Sequence, residues 1–94
     1  MSKEEDDVAK EILKLDPILR HPVRFSILTI LVVSGYRTEG EHISKLEEEG
    51  YVKTRRHFIL YGPRTFVEIT DKGVKAYYKY VETLENILKL LKKR

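Results

Sequence analysis

A chain of 94 residues makes one domain near the lower end for a self-sufficient core, and 41% apolar content supports a modest core that oligomerisation would reinforce. The absence of cysteine excludes disulfides, thiolate zinc sites and cysteine nucleophiles, and the longest apolar run, Ile27 to Val33, is far short of the roughly 18 residues of a membrane span. A net charge of only +3 gives no general pull towards polyanions, so any such pull must come from how the charge is distributed.

The chain opens on Ser2 followed by Glu4, Glu5, Asp6 and Asp7, which suits a capped helix whose dipole favours anions in its first turns and does not resemble a signal peptide. The expected location is therefore cytoplasmic. Val8, Ile12 and Leu15 recur on one face of this helix, and Asp16-Pro17 ends or bends it, because the residue before proline avoids helical geometry. Pro22 is well placed at a first helical position. Val23, Ile27, Ile30, Leu31 and Val33 then continue a helix that is apolar nearly all round, as a central core helix would be, up to Gly35. Thr38 and Glu41 form a capping box for a helix from Glu39 to Glu49, which buries Ile43 and Leu46 and stops at Gly50.

Two segments of strand character follow, Tyr51 to Phe58 and Thr65 to Ile69, with Gly62 and Pro63 setting the turn of a hairpin tip at positions 59–64. Thr70 caps a last helix over residues 71–93. Its apolar residues Val74, Tyr77, Val81, Leu84, Leu88 and Leu91 step by three and four, an a/d pattern over nearly three heptads. A helix of that length, about 33 Å, outruns what so small a domain can cover. The distal half of its stripe is expected to pair with a second copy of the chain.

Charge is partitioned along this layout. Positions 38–49 carry five Glu against one Lys, whereas positions 50–64 carry Lys53, Arg55, Arg56 and Arg64 with no acid. An acid-free basic hairpin between two helices is the layout of a winged helix, and its obvious partner is nucleic-acid phosphate. The residues expected to contact double-stranded DNA are Lys53, Arg55, Arg56, His57 and Arg64 on the hairpin, and Thr38, His42, Ser44 and Lys45 on the preceding helix, which faces outward once Ile43 and Leu46 face inward. Glu39 and Glu41 on the same helix repel phosphate. The alternative for the hairpin is a solubilising ribbon whose edges are protected by cations.

Other chemistry finds little support. There is no Gly-rich phosphate loop, no G-x-S-x-G and no His-Glu pair, so no enzyme and no cofactor is expected. His21, His42 and His57 lie in separate elements and suggest no metal site; His21 before Pro22 suits a capping or packing role. Tyr77, Tyr78 and Tyr80 suit dimer packing, or an effector pocket whose ligand the sequence does not name. The lack of glutamine, the single Asn86 and a charged fraction of 35% fit a thermophile's protein.

The stretch Leu15-Asp16-Pro17-Ile18-Leu19-Arg20-His21-Pro22-Val23-Arg24 resembles the "hPvR…IL" helix entry of the winged-helix transcriptional regulators of the MarR/ArsR-like kind. Leu46 to Val52 resembles the end of their recognition helix. Gly62-Pro63-Arg64-Thr65 and Ile69-Thr70-Asp71-Lys72-Gly73 resemble their wing tip and the "hT-x-x-G" start of a dimerisation helix. The resemblance spans most of residues 15–80. It implies an α+β winged-helix domain over residues 1–94, a homodimer joined by residues 71–93, and a role in transcription regulation. The chain departs from the family between Gly35 and Glu39, where a helix and turn of about a dozen residues are missing. Either Pro22–Ser34 and Glu39–Glu49 themselves form a compact helix-turn-helix, or the base-reading module is abridged while wing and dimer helix survive. The competing function is a winged-helix protein-interaction module without base readout.

Overall fold

The computed structural model describes residues 2–34 and 43–93, the side chains of His57 and Ile59 excepted. The Gly35 stop, the Tyr36-Arg37 link, the Thr38/Glu41 capping box and the candidate base-reading residues Thr38 and His42 lie outside the described residues.

Helix α1 (Lys3–Leu13) is capped as its sequence implies, with the Ser2 hydroxyl accepting the Glu5 N–H at 3.2 Å. Beyond it, Asp16 organises the connector. One carboxylate oxygen accepts the Ile18 N–H at 2.9 Å, and the Asp16 carbonyl accepts the N–H groups of Leu19 and Arg20. This turn delivers Leu19 into the core. Helix α2 (Pro22–Ser34) starts with proline at its first position and the His21 ring accepting the Val23 N–H at 3.2 Å, a capping role. It buries Ile27, Leu28 and Leu31, but Val23, Ile30 and Val33 are exposed, so it is greasy on both faces and buried on one.

Helix α3 (Ile43–Glu48) buries Ile43 and Leu46, as its spacing predicts. Gly50, at φ +76°, ends it: its N–H donates to the Glu47 carbonyl while the Tyr51 N–H reaches back to Leu46, a Schellman closure that requires the left-handed conformation. Strands β1 (Val52–Ile59) and β2 (Gly62–Ile69) form a regular antiparallel hairpin, with Val52 opposite Ile69 and Ile59 opposite Gly62. The turn differs from the expected one. Leu60 and Tyr61 are the loop, and Gly62 and Pro63 belong to β2, Gly62 at φ +112° leading out of the turn. A two-stranded sheet has only edges, so Pro63 is tolerated within it.

Helix α4 (Asp71–Lys92) begins where Thr70 accepts the Gly73 N–H at 3.1 Å. Hairpin and helix, about 26 Å and 33 Å long, leave their shared base in opposite senses and account for a longest dimension of 61 Å. The core lies at that base. Leu19, Leu28 and Leu46 are fully enclosed, joined by Tyr51, Val52, Val67, Tyr77 and Tyr80. Phe25 of α2 stacks on Tyr77 with ring centroids 5.4 Å apart and leans on Tyr80 at 5.0 Å. Tyr77 therefore fills its own chain's core, and so does Tyr80. Val81 and Leu84 also pack against this core.

The distal half of α4 is not bare either. Helix α1 folds back along it, and Val8, Ala9 and Ile12 share a groove of about 290 Å³ with Leu90 and Leu91. At the other end of α1, Lys14 lies 2.7 Å from the Glu11 carboxylate and, with Asn86 of α4, holds that carboxyl below its ordinary range.

Gly73 packs against the Tyr51 carbonyl so closely that an added Cβ would overlap that oxygen. Gly73→Ala is expected to cost about 2 kcal/mol or more, read as a lowered urea midpoint with unchanged slope.

Candidate nucleic-acid interface

The hairpin is anchored only at its base. Val52 and Val67 are its buried residues, and no described position beyond them towards the tip is buried. Tyr51 fixes the anchor. Its hydroxyl donates a short hydrogen bond to the second carboxylate oxygen of Asp16, and its carbonyl accepts the Thr70 N–H at 3.0 Å. The Thr70 hydroxyl donates to the Gly50 carbonyl at 2.6 Å. Burial, then the Asp16 hydrogen bond and charge, then Glu49, all push the Tyr51 phenol above its ordinary range. Burial does the same to Tyr80. Higher up, Thr54 donates to the Glu47 carboxylate at 3.1 Å and braces β1 against α3.

The pairing register decides which cations face solvent unopposed. Alternation along β1 puts Lys53 and Arg55 on one face and Thr54 and Arg56 on the other. Lys53 sits opposite Glu68, whose carboxylate lies 3.8 Å from the Lys53 Nζ and 3.4 Å from the Arg55 Nε. The ribbon that is acid-free along the chain is thus not acid-free in space. Both pairs are about half exposed, where such contacts contribute roughly 0–1 kcal/mol. A phosphate can displace them. Arg56 and Arg64 are exposed and carry no ion pair among the described residues; they project from opposite faces of the hairpin. His57 lies opposite Arg64 in the register, its side chain outside the described atoms.

On α3, Ser44 and Lys45 are exposed, as expected, and Lys45 lies 3.6 Å from Glu48 of its own helix. The structure therefore brings Lys53, Arg55, Arg56 and Arg64 together on one projection and places Ser44 and Lys45 apart on α3. Leu60 and Phe58, absent from the residues expected to make contact, stand at the tip beside Tyr61. Their signal was available in the sequence: two large apolar residues beside a turn, beyond the reach of the core.

Residues 40–88, from the end of the undescribed segment through the hairpin and most of α4, match the winged helix DNA-binding domain family. The chain belongs to that family. Its structure is also similar to the transcriptional regulator homologue protein from Pyrococcus horikoshii OT3, at 33% identity and a TM-score of 0.75, over 90% of this chain and 97% of that one. No curated protein matches the chain. The winged-helix assignment makes the hairpin the wing and α3 the element preceding it. Among the described residues no helix is long and apolar enough to cross a membrane, and no group of His, Asp and Glu could hold a metal ion.

The cross-strand carboxylate supplies a test of wing electrostatics. Glu68→Gln is expected to tighten duplex DNA binding about twofold to fivefold at 100 mM salt by releasing Lys53 and Arg55, as fluorescence anisotropy would read. The Tyr51 phenol supplies another. Its proton is held more tightly in the folded chain, so its contribution is complete below the unfolded value near pH 10 and is lost as pH rises towards the folded value. Wild type should lose more stability than Tyr51→Phe between pH 8 and pH 11 in urea titrations.

Proposed function

We propose that this winged helix binds double-stranded DNA as a homodimer and regulates transcription in the cytoplasm. The observation that carries the reading is the projecting wing, with Arg56 and Arg64 unopposed on its two faces. Their role is to grip phosphates, and Lys53 and Arg55 join them when phosphate competes with Glu68. His57 adds to the same ribbon. Ser44 and Lys45, with Thr38 and His42 ahead of them, face base edges in the major groove, and the two copies reach grooves about 34 Å apart.

Pairing of the copies runs through the outer face of α4. Leu88 remains 54% exposed even with α1 folded against the helix, and Leu91, at the border of the α1 groove, remains 44% exposed. Half-buried Val74, Val81 and Leu84 border them along the helix, whereas Tyr77 is committed to the core. The ion-rich, amide-poor composition supports a thermophilic source.

A protein-interaction module is the second reading, and one observation favours it: positions 38–49 carry five Glu against the single Lys45, an acidic stretch ill suited to a phosphate backbone. One titration separates the two. Duplex affinity that falls steeply with salt supports the DNA reading, and no binding at 50 mM salt supports a protein partner. Arg56→Ala with Arg64→Ala should weaken binding to every sequence and shallow the salt slope by about 1 for each phosphate no longer neutralised. Leu88→Glu should convert a dimer to a folded monomer in sedimentation; an unchanged dimer would place the interface elsewhere.

A further inference from the structure

The wing ends in an apolar tip. Phe58, Leu60 and Tyr61 are 86%, 88% and 84% exposed, the most exposed large apolar side chains of the described residues. Leu60 and Tyr61 form the two-residue loop, the Ile59–Gly62 pair is the first rung below it, and Phe58 stands on the second, opposite Pro63. A folded chain rarely leaves three large apolar groups together in water without a use for them. These three are not spare core residues. The core ends at Val52 and Val67, at the other end of the ribbon, so no packing within the domain could reach them.

The tip is also continuous with the charged part of the wing. Arg56 lies on the same face as Phe58, two residues earlier, and Arg64 emerges from the opposite face just beyond Pro63. An apolar point between two unopposed guanidinium groups is complementary to a groove walled by phosphates and floored by stacked bases. The minor groove, about 6 Å wide, excludes the ribbon itself but admits side chains of a two-residue loop. Apolar side chains brought there partly unstack a base step and bend the duplex away, at a cost that is smallest at flexible pyrimidine–purine steps.

We propose that the wing tip is a wedge: Leu60 and Tyr61 enter the DNA minor groove at a pyrimidine–purine step, backed by Phe58, while Arg56 and Arg64 hold the two flanking phosphate strands. The proposal rests on the DNA reading above and adds to it a deformation of the duplex and a step preference that needs no base-edge hydrogen bond. The wing thereby senses how easily a site bends as well as its charge. Cations alone would leave binding indifferent to Leu60 and Tyr61.

The test uses the full chain and a 24-base-pair duplex with one central TA step, end-labelled for energy transfer and carrying 2-aminopurine at that step. Wild type is expected to shorten the end-to-end distance and raise 2-aminopurine fluorescence. Leu60→Ser with Tyr61→Ser should abolish both signals and weaken binding about tenfold at an unchanged salt slope, since the substitutions remove apolar surface and no charge. Leu60→Met should keep the bend. Circular dichroism and the thermal midpoint, unchanged for residues so exposed, check the fold of each variant. Wild type that binds with a steep salt slope but neither bends nor unstacks the duplex, with the double serine variant binding equally well, overturns the wedge and leaves the DNA reading standing. Wild type that binds no duplex at 50 mM salt overturns both. If it then sediments with phosphatidylserine vesicles through Leu60 and Tyr61, the tip is a membrane contact; if it self-associates through them, the tip is a protein contact.

Discussion

The domain depends on a single junction at Tyr51. Within three residues the chain leaves α3, turns through Gly50 and enters the wing, and the same few atoms receive the end of the wing and launch α4. The Tyr51 carbonyl accepts the Thr70 N–H, the Thr70 hydroxyl closes on the Gly50 carbonyl, and Gly73 lies flat against that backbone because it lacks a Cβ. The phenol meanwhile reaches Asp16, 35 positions earlier in the chain, whose other oxygen holds the turn into α2. A hairpin alone in water is marginal. Here both of its ends are tied to one buried aromatic ring and to the two helices that follow and precede it, so an outer half with no core of its own can still project in a fixed direction.

That fixed direction gives the wing charges their meaning. Cations near a flexible loop would average over many positions, whereas on a ribbon they stay on defined faces. Glu68 then acts selectively. It is cross-strand to Lys53 and adjacent to Arg55, near the base, and it leaves Arg56 and Arg64 towards the tip unopposed. The potential is thereby weighted towards the outer end of the wing, where a partner first makes contact. The weak, exposed pairs at the base keep the ribbon soluble and remain easy to exchange for phosphate.

Much of this was legible in the sequence because it is local. Ser2, Pro22, Gly50 and Thr70 act within a few residues of themselves, and each does what its type and place imply. Ile43 and Leu46 face inward as three-residue spacing requires. The failures are all non-local. Gly62-Pro63 signals a turn, but the two-residue loop sits two positions earlier, and only pairing across the ribbon decides. Moving the turn to Leu60-Tyr61 also brings Glu68 beside Lys53, so one register choice hid both the loop and the acid. The a/d stripe of α4 reports burial without naming what does the burying: Phe25 takes Tyr77, and α1 takes part of the distal stripe. The candidate base-reading residues Thr38 and His42 lie outside the described residues.

The α1–α4 pair shows how a small chain manages a long helix. By folding back, α1 covers one side of the distal half of α4 and brings its acidic start, Glu4 and Glu5, alongside Leu90 and Leu91, near the basic end of that helix. The N-terminal dipole of one helix and the C-terminal dipole of the other then lie together with opposite sign, and the charges on each suit both. One side of α4 is thus satisfied within the chain, and the side bearing Leu88 is not. Because the helix starts at the wing junction, anything that packs against that remaining side fixes the direction in which the wing points. A second copy seated there would set two wings at a defined separation, and the stiffness of one helix of 22 residues, with no proline within it, is what would carry that geometry from seam to wing.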